Sequence, residues 1–221
     1  MKRISTEKSP PAPRAVRTAA ATAILDVAEG LAQTRGYNGF SYADIAAKLG
    51  VTTPSLHYHF RSKADLGCAL IDRYQKIFGT ELEAIDRQGG SCVEKLRRYA
   101  ALYDTVIMND RMCLCGMLAA EYATLPLAMQ KGLTLFFDAN ERWLTVVLER
   151  GVRAGEFQFK ESPNARARVL FGALEGAMLV ARSYHDPLRF QAAAKYLLAD
   201  LHLGNRLERG RAHRTGTAQR S

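Results

Sequence analysis

The sequence predicts an all-helical protein of about nine helices, with a three-helix helix-turn-helix unit near its N-terminus and a larger helical region after it. Three observations lead there. Apolar residues recur at three- and four-residue spacing over long stretches. Serines followed three residues later by an acid, at Ser41, Ser62 and Ser91, read as capping boxes that start helices. Sustained period-2 alternation, the mark of a half-buried strand, is absent.

Each element follows from its own signals. Residues 1–13 are rich in Pro and Lys without periodicity and read as a flexible basic arm. From 14 to 35, Val16, Ala20, Ala23, Ile24, Val27, Ala28 and Leu31 trace one helical face, and Gly36 stops it. Ser41 with Asp44 opens a second helix that ends at Gly50. Thr52 or Thr53 caps a short third helix, with Pro54 at its first position, where a missing N–H costs nothing. Ser62 with Asp65 opens a long helix to about residue 87, broken by Gly89 and Gly90. Ser91 with Glu94 opens another to about 109. A short apolar helix is expected over 113–122, and a long one from Pro126 to Gly151 and Gly155. Ser162-Pro163 and Asp186-Pro187 start the last two, the final one reaching about residue 203, ahead of a disordered basic tail at 204–221.

Composition narrows the function classes. With 221 residues, 48% of them hydrophobic, the chain is long enough for a sizeable core. The net charge of +9 is uneven: +4 falls in residues 1–65, +4 in 204–221 and only +1 in between. A nucleic-acid partner accounts for the first excess. No run of 18 apolar residues and no signal-peptide pattern occurs, so the expectation is a cytoplasmic protein without a membrane partner. The four cysteines would then be reduced. Cys113 and Cys115 are too close for a C-x-x-C site and have no nearby His, so no metal or cofactor is expected.

Residues 52–63 carry the functional signal. A recognition helix needs a buried face locked to its bracing helix, an exposed face of donors and acceptors, and flanks that neutralise phosphate. Leu56 and Phe60 supply the buried side, facing Ile45, Ala46, Leu49 and Val51. Thr53, Ser55 and His57 point toward bases, Pro54 toward a thymine methyl, and Tyr58, His59 and Lys63 toward phosphates. Taken alone, the histidines would more simply end a helical bundle. The whole 41–66 pattern and the local charge favour double-stranded DNA.

The string GYNGFSYADIAAKLGVTTPSLHYHFRSKADL resembles the DNA-binding domain of the TetR family of bacterial regulators. The matching features are Gly36-Tyr37, Phe40, Ser41, Ile45-Ala46, Gly50-Val51, Leu56, Tyr58, His59, Phe60, Ser62-Lys63 and Leu66. The resemblance implies a helix-turn-helix domain at 14–65 and a ligand-binding and dimerisation domain at 66–203. It implies a homodimer whose last two long helices form a four-helix interface, a near-palindromic operator and a small-molecule effector. It adds Ser41 and Tyr42 of the bracing helix to the DNA contacts. His57 stands where the family usually has Tyr, and Ala43 where some members carry a long polar side chain. Base preference at those positions is therefore not carried over.

An effector pocket or sensor is expected among Met108, Cys113, Cys115, Met117, Tyr122, Phe137 and Phe171, bulky or adaptable residues that equally suit an ordinary core. Cys113 and Cys115 open a helix, where orphan N–H groups and the dipole favour a thiolate and Arg111 adds positive charge. A branch of the TetR family carries a cysteine at this point, and some of its members respond to electrophiles or oxidants. The competing reading is two small buried hydrophobes. Oxidation would pair one of them with Cys92 or with the other subunit, or stop at sulfenic acid. The expectation is a repressor released by an effector or by cysteine modification. An activator, a non-specific architectural protein, and an enzyme using Cys113 with His185 or His202 are the alternatives.

Overall fold

The computed structural model describes residues 14–201, with side chains from residue 18 onward. The expected arm at 1–13 and tail at 204–221 lie outside the described residues, as does His202. Among the described residues there are nine α-helices, one 3-10 turn and no strand. They are α1 (Arg14–Arg35), α2 (Tyr42–Leu49), α3 (Thr53–His59), α4 (Lys63–Gln88), α5 (Cys92–Met108), α6 (Leu114–Ala120), α7 (Leu127–Arg153), α8 (Pro163–Ser183) and α9 (Pro187–Asp200). None is long and apolar enough to cross a membrane.

The capping chemistry sets the boundaries. In all three boxes the serine oxygen faces the backbone N–H of the acid while the carboxylate accepts the serine's own N–H. Those reciprocal bonds are 2.7 Å for Asp44, 3.0 Å for Asp65 and 2.9 Å for Glu94. Gly50 ends α2 in the left-handed region at φ 66°, where a Cβ would be strained. One element differs from expectation. The helix expected over 113–122 stops at Ala120 and tightens into a 3-10 turn at Tyr122–Thr124 before Pro126. Residue 125 precedes that proline and is held extended at ψ 145°.

α4, α5, α7, α8 and α9 pack into one bundle around Tyr99, Tyr103, Phe136 and Phe190, each essentially without exposure. The buried polar groups at its centre are matched. The Tyr99 hydroxyl donates to Asn140 Oδ1 at 2.9 Å, and Asn140 Nδ2 donates to the Phe136 carbonyl at 2.9 Å. Val51, expected opposite Leu56, is instead 43% exposed, because it follows the left-handed Gly50 and lies in the turn itself.

The N-terminal unit is bolted to the bundle by polar contacts at the C-terminal part of α1. Glu121 Oε2 accepts the backbone N–H of Tyr37 at 2.6 Å and of Asn38 at 3.1 Å. Asn38 Nδ2 donates to Thr124 Oγ1, and the Met112 N–H donates to the Gln33 carbonyl. Arg182 of α8 donates to the Thr34 carbonyl, while Arg73 of α4 bridges Asp26 and Glu29 of α1. Gly36 makes the Glu121 contact reachable. Its φ is +82°, and a Cβ there would stand 2.6 Å from Glu121 Oε1.

Three side chains break the pattern: Arg73 and Arg166 each leave a buried Nε without a hydrogen bond, and Glu175 leaves more. Both oxygens of Glu175 on α8 are buried without a hydrogen-bond partner. Burial pushes its carboxyl up to about 7, from an ordinary 4.5.

Two measurements test these points. Replacing Glu121 with Gln keeps the shape but removes the charge that strengthens two N–H bonds, each worth roughly 1.5–3 kcal/mol. Amide exchange at Tyr37 and Asn38 should accelerate by about tenfold or more while exchange in α5 and α7 is unchanged. For Glu175, no stability is lost below about pH 4.5, where the carboxyl is protonated folded and unfolded. Stability is then lost as pH rises to about 7, because only the unfolded chain ionises freely. At about 1.4 kcal/mol per tenfold change in proton affinity, the loss approaches roughly 3 kcal/mol. Glu175→Gln should therefore flatten the pH dependence of thermal stability between mildly acidic and mildly alkaline buffer. A parallel decline in both proteins would refute this.

Candidate nucleic-acid interface

α3 has seven residues, about two turns, and its position depends on what it packs against. Leu56 anchors it and has no exposed surface, with Ile45 and Ala46 of α2 buried in the same core. Phe60, just past the helix, is half-buried against that core. The remaining face is open. Pro54, Ser55, His57 and Tyr58 are exposed, Tyr58 to 51%, whereas Thr53 and His59 are half-buried. The rings of Tyr58 and His59 meet edge to face with centroids 5.2 Å apart. The structure thus brings six of the expected contact residues onto one short element. Ser41 is exposed at the start of α2, but its hydroxyl and N–H are committed to Asp44.

Two expected contact residues are turned inward. Tyr42 is 8% exposed, and its hydroxyl donates to the carbonyls of Phe60 at 2.9 Å and Ser62 at 2.7 Å. Burial and the nearby Asp65 carboxylate raise that phenol to about 12, so it stays a donor. Its ring also lies 4.6 Å from that of His57, whose Nδ1 is 3.1 Å from the Arg61 carbonyl. Tyr42 therefore ties the end of α3 and the start of α4 to the bracing helix. Lys63 donates to the Phe40 carbonyl, and its ammonium sits 4.5 Å from the ring centroids of both Tyr37 and Phe40. Burial lowers its pKa against the raising effect of Glu121 and Asp44. This placement makes it a half-buried brace between α4 and the α1–α2 turn. Conversely, Lys48 and Arg61 are exposed on either side of α3 and were not singled out from the sequence. The signal was there: a lone cation ending α2 and another directly after the recognition helix.

The expected effector residues are scattered. Met108 is 67% exposed and lines a small cavity of about 220 Å³ with Asp110, Arg182 and His185. Tyr122 is exposed, and Met117 is half-buried with its sulfur 3.5 Å from Arg182 Nη1. Phe137 and Phe171 pack on each other at 5.6 Å in the α7–α8 core. A cleft of about 560 Å³ opens elsewhere, between α1, α4 and α5, lined by Glu29, Tyr74, Phe78, Glu81, Arg98 and Arg111 among others.

The cysteines overturn one expectation. Cys113 and Cys115 have no exposed surface, and burial followed by the Glu175 charge pushes both thiols well up. They are neutral thiols, not helix-stabilised thiolates. Arg111 does not help, because its guanidinium lies along Gly30 of α1. Pairing of Cys113 with Cys92 is excluded by geometry. Cys92 begins the 17-residue α5, about 25 Å from its other end, whereas a disulfide needs Cα atoms about 4.4–6.8 Å apart. Among the described residues no group of three His, Cys, Asp or Glu is placed to hold a metal.

Known proteins agree with this architecture. The family model described as "Bacterial regulatory proteins, tetR family" matches residues 24–69, which span the end of α1 through the start of α4. A TetR-family transcriptional regulator from Agrobacterium tumefaciens superposes with a TM-score of 0.82 at 32% identity, over 84% of this chain and 99% of that one. The transcriptional regulator AcuR of Cereibacter sphaeroides is 26% identical over 152 residues, covering 67% of this chain and 69% of that protein. The HTH-type transcriptional repressor DhaR of Mycobacterium sp. (strain GP1) is 24% identical over 147 residues, 66% of this chain and 73% of its own. The regulator fold, the open face of α3 and these likenesses converge: the chain belongs to the tetR family of bacterial regulatory proteins, DNA-binding transcriptional regulators and not enzymes.

Proposed function

We propose that this regulator is a homodimeric repressor that binds a near-palindromic operator and leaves it when a small molecule binds. The observation that carries the reading is the exposed face of α3, with Ser55, His57 and Tyr58 held outward by Leu56 and by the Tyr42 hydroxyl. Thr53, Pro54 and His59 complete the base- and phosphate-facing set, with Ser41, Lys48 and Arg61 at its edges. Tyr42 and Lys63 serve as positioning residues. Residues 14–65 would form the DNA-binding unit and 66–203 the ligand-binding and dimerisation unit. The name of DhaR supports repression as the sign of control.

Dimerisation rests on a stripe of α8. Val169, Leu179 and Val180 are exposed, and a Cβ at Gly172 or Gly176 would meet nothing within 4 Å. The spacing puts these residues on one side of the helix. The glycines allow a second backbone to approach closely. Leu188 and Tyr196 of α9 continue the exposed apolar surface. Two α8–α9 pairs would bury it as a four-helix interface. Each subunit would then place one α3 in successive major grooves, about 34–36 Å apart.

The α1–α4–α5 cleft is large enough for a drug-sized ligand. Its walls include α4, whose capped start immediately follows α3, and α1, which Glu121 ties to the bundle. An effector that prefers a shifted α4 would therefore change the spacing of the two recognition helices.

Mobility shifts on DNA flanking the protein's own gene test the reading. Discrimination against unrelated DNA should survive rising salt, and His57→Ala should cost about 5–150-fold on the specific site, the equivalent of roughly 1–3 kcal/mol. A steep salt slope with no sequence preference would favour a non-specific architectural protein instead. In sedimentation velocity the protein should run as a dimer, and Leu179→Glu should run as a monomer that no longer shifts the operator. A monomeric wild type would overturn the dimer.

A further inference from the structure

The cleft between α1, α4 and α5 is apolar along its middle and polar at its ends, and the two ends differ. Ile77, Phe78, Leu102 and Val106 form the middle. Glu81, Gln88 and Arg98 stand nearest the Gly89–Gly90 turn that joins α4 to α5. At the other end, toward α1, two polar side chains have no partner. Gln33 of α1 is only 3% exposed, and its side-chain amide makes no hydrogen bond. It is not among the polar groups sealed from solvent, so the small surface it keeps opens into the cleft that it lines. Arg111 has neither a salt bridge nor a side-chain hydrogen bond among the described residues. Its guanidinium lies 3.6 Å from where a Cβ on Gly30 would stand, one turn before Gln33 on the same face of α1. The N–H of Met112, the next residue, donates to the Gln33 carbonyl at 3.2 Å. Amide and guanidinium are thus held close together at one end of an apolar cleft.

The acids nearby are already engaged. Glu29, on the same face of α1, is bound by Arg73 of α4, and Asp110 faces His185. Asn109 commits its Nδ2 to the Thr105 carbonyl. An amide as buried as that of Gln33 gains from any polar group that reaches it. The unopposed guanidinium beside it sets the sign of that group.

We propose that this cleft takes an elongated apolar monocarboxylate, with its carboxylate on Arg111 and Gln33 and its body along Phe78 and Leu102. The proposal deepens the effector reading above and rests on it for the consequence at DNA. A guanidinium offers two parallel N–H donors to a planar carboxylate, a pairing that supplies both strength and orientation. The Gln33 amide adds a further donor. The ligand does not lie the other way round. At the α4–α5 turn its charge would meet Glu81, and Arg98 there already donates to the Gly89 carbonyl and neighbours Glu94. An amine head would have only the exposed Glu81 and would share that end with Arg98. An uncharged head would leave the guanidinium unopposed. A volume of about 560 Å³ lies in the range of drug-sized ligands, so an aromatic or long-chain acid covers the apolar wall where a short acid leaves it wet. Because Gln33 belongs to α1, the bound carboxylate would engage the DNA-binding unit directly.

The test titrates full-length protein with β-naphthoate by calorimetry, beside β-naphthylmethanol, β-naphthylmethylamine and β-naphthalenesulfonate, which keep the ring and change the head. Naphthoate should bind about tenfold or more tighter than the alcohol, with the amine weakest. Arg111→Gln should lose about tenfold or more of the naphthoate affinity and leave that of the alcohol unchanged. Arg111→Lys should recover only part of it, because an ammonium is a point charge without the fork. Gln33→Leu, which keeps the volume and drops the amide, should weaken naphthoate by about fivefold. Ala101→Trp, which fills the cleft from α5 well before Arg111, should abolish binding of all four. Equal naphthoate affinity in native, Arg111→Gln and Ala101→Trp protein would overturn the proposal, as would no binding at millimolar concentration. Alcohol or amine binding as tightly as naphthoate overturns the anion, and sulfonate doing so overturns the planar carboxylate. Operator binding is read in parallel by mobility shift. Naphthoate that occupies the cleft without releasing DNA sinks the effector reading and leaves the binding site standing. Release that persists unchanged in Arg111→Gln and Ala101→Trp assigns the response elsewhere and overturns this cleft as its sensor.

Discussion

Seven residues do not make a stable helix in water, because nucleation outweighs the few bonds gained. α3 is therefore held entirely by what surrounds it. Leu56 is sunk into the N-terminal core, and the Tyr42 hydroxyl holds the carbonyls of Phe60 and Ser62 together where α3 gives way to α4. The capping box at Ser62 then starts α4 at a defined residue. The exposed face of α3 can be small and polar because Leu56 supplies its buried anchor.

The same logic extends to the junction. Glu121, Arg182, Arg73 and the Met112 amide all engage α1 or the turn after it. Most of these contacts fall on backbone groups that a helix end leaves without partners. These polar contacts add fixed geometry to an apolar core that runs from Ile24, Ala28 and Leu31 of α1 into the bundle without a break. Against this background Glu175 is a buried acid whose two oxygens lack a hydrogen-bond partner.

Much of the fold was legible because its signals are local. Each capping box is a four-residue chemical pattern, and all three mark helix starts in the structure. The break after Ala120 was not legible, because no glycine or proline marks it locally and Pro126, which ends the turn, lies downstream. At the candidate interface, the exposure of Ser55, His57 and Tyr58 could be read from their spacing against Leu56. The inward turn of Lys63 could not. Its partners, the Phe40 carbonyl and the rings of Tyr37 and Phe40, lie more than twenty residues upstream.

The cysteines mark the boundary most clearly. Sequence alone determined that Cys113 opens a helix, that a short helix follows Thr52, and that the protein is helical throughout its patterned length, because each depends on neighbours within one or two turns. Whether the thiol is charged was decided only by tertiary structure. Burial and the Glu175 carboxylate, sixty residues away along the chain, outweigh the local helix terminus and keep the proton on sulfur. Electrostatic character in a protein interior is a property of which distant groups the fold brings into a low-dielectric space, and short-range pattern carries no record of that.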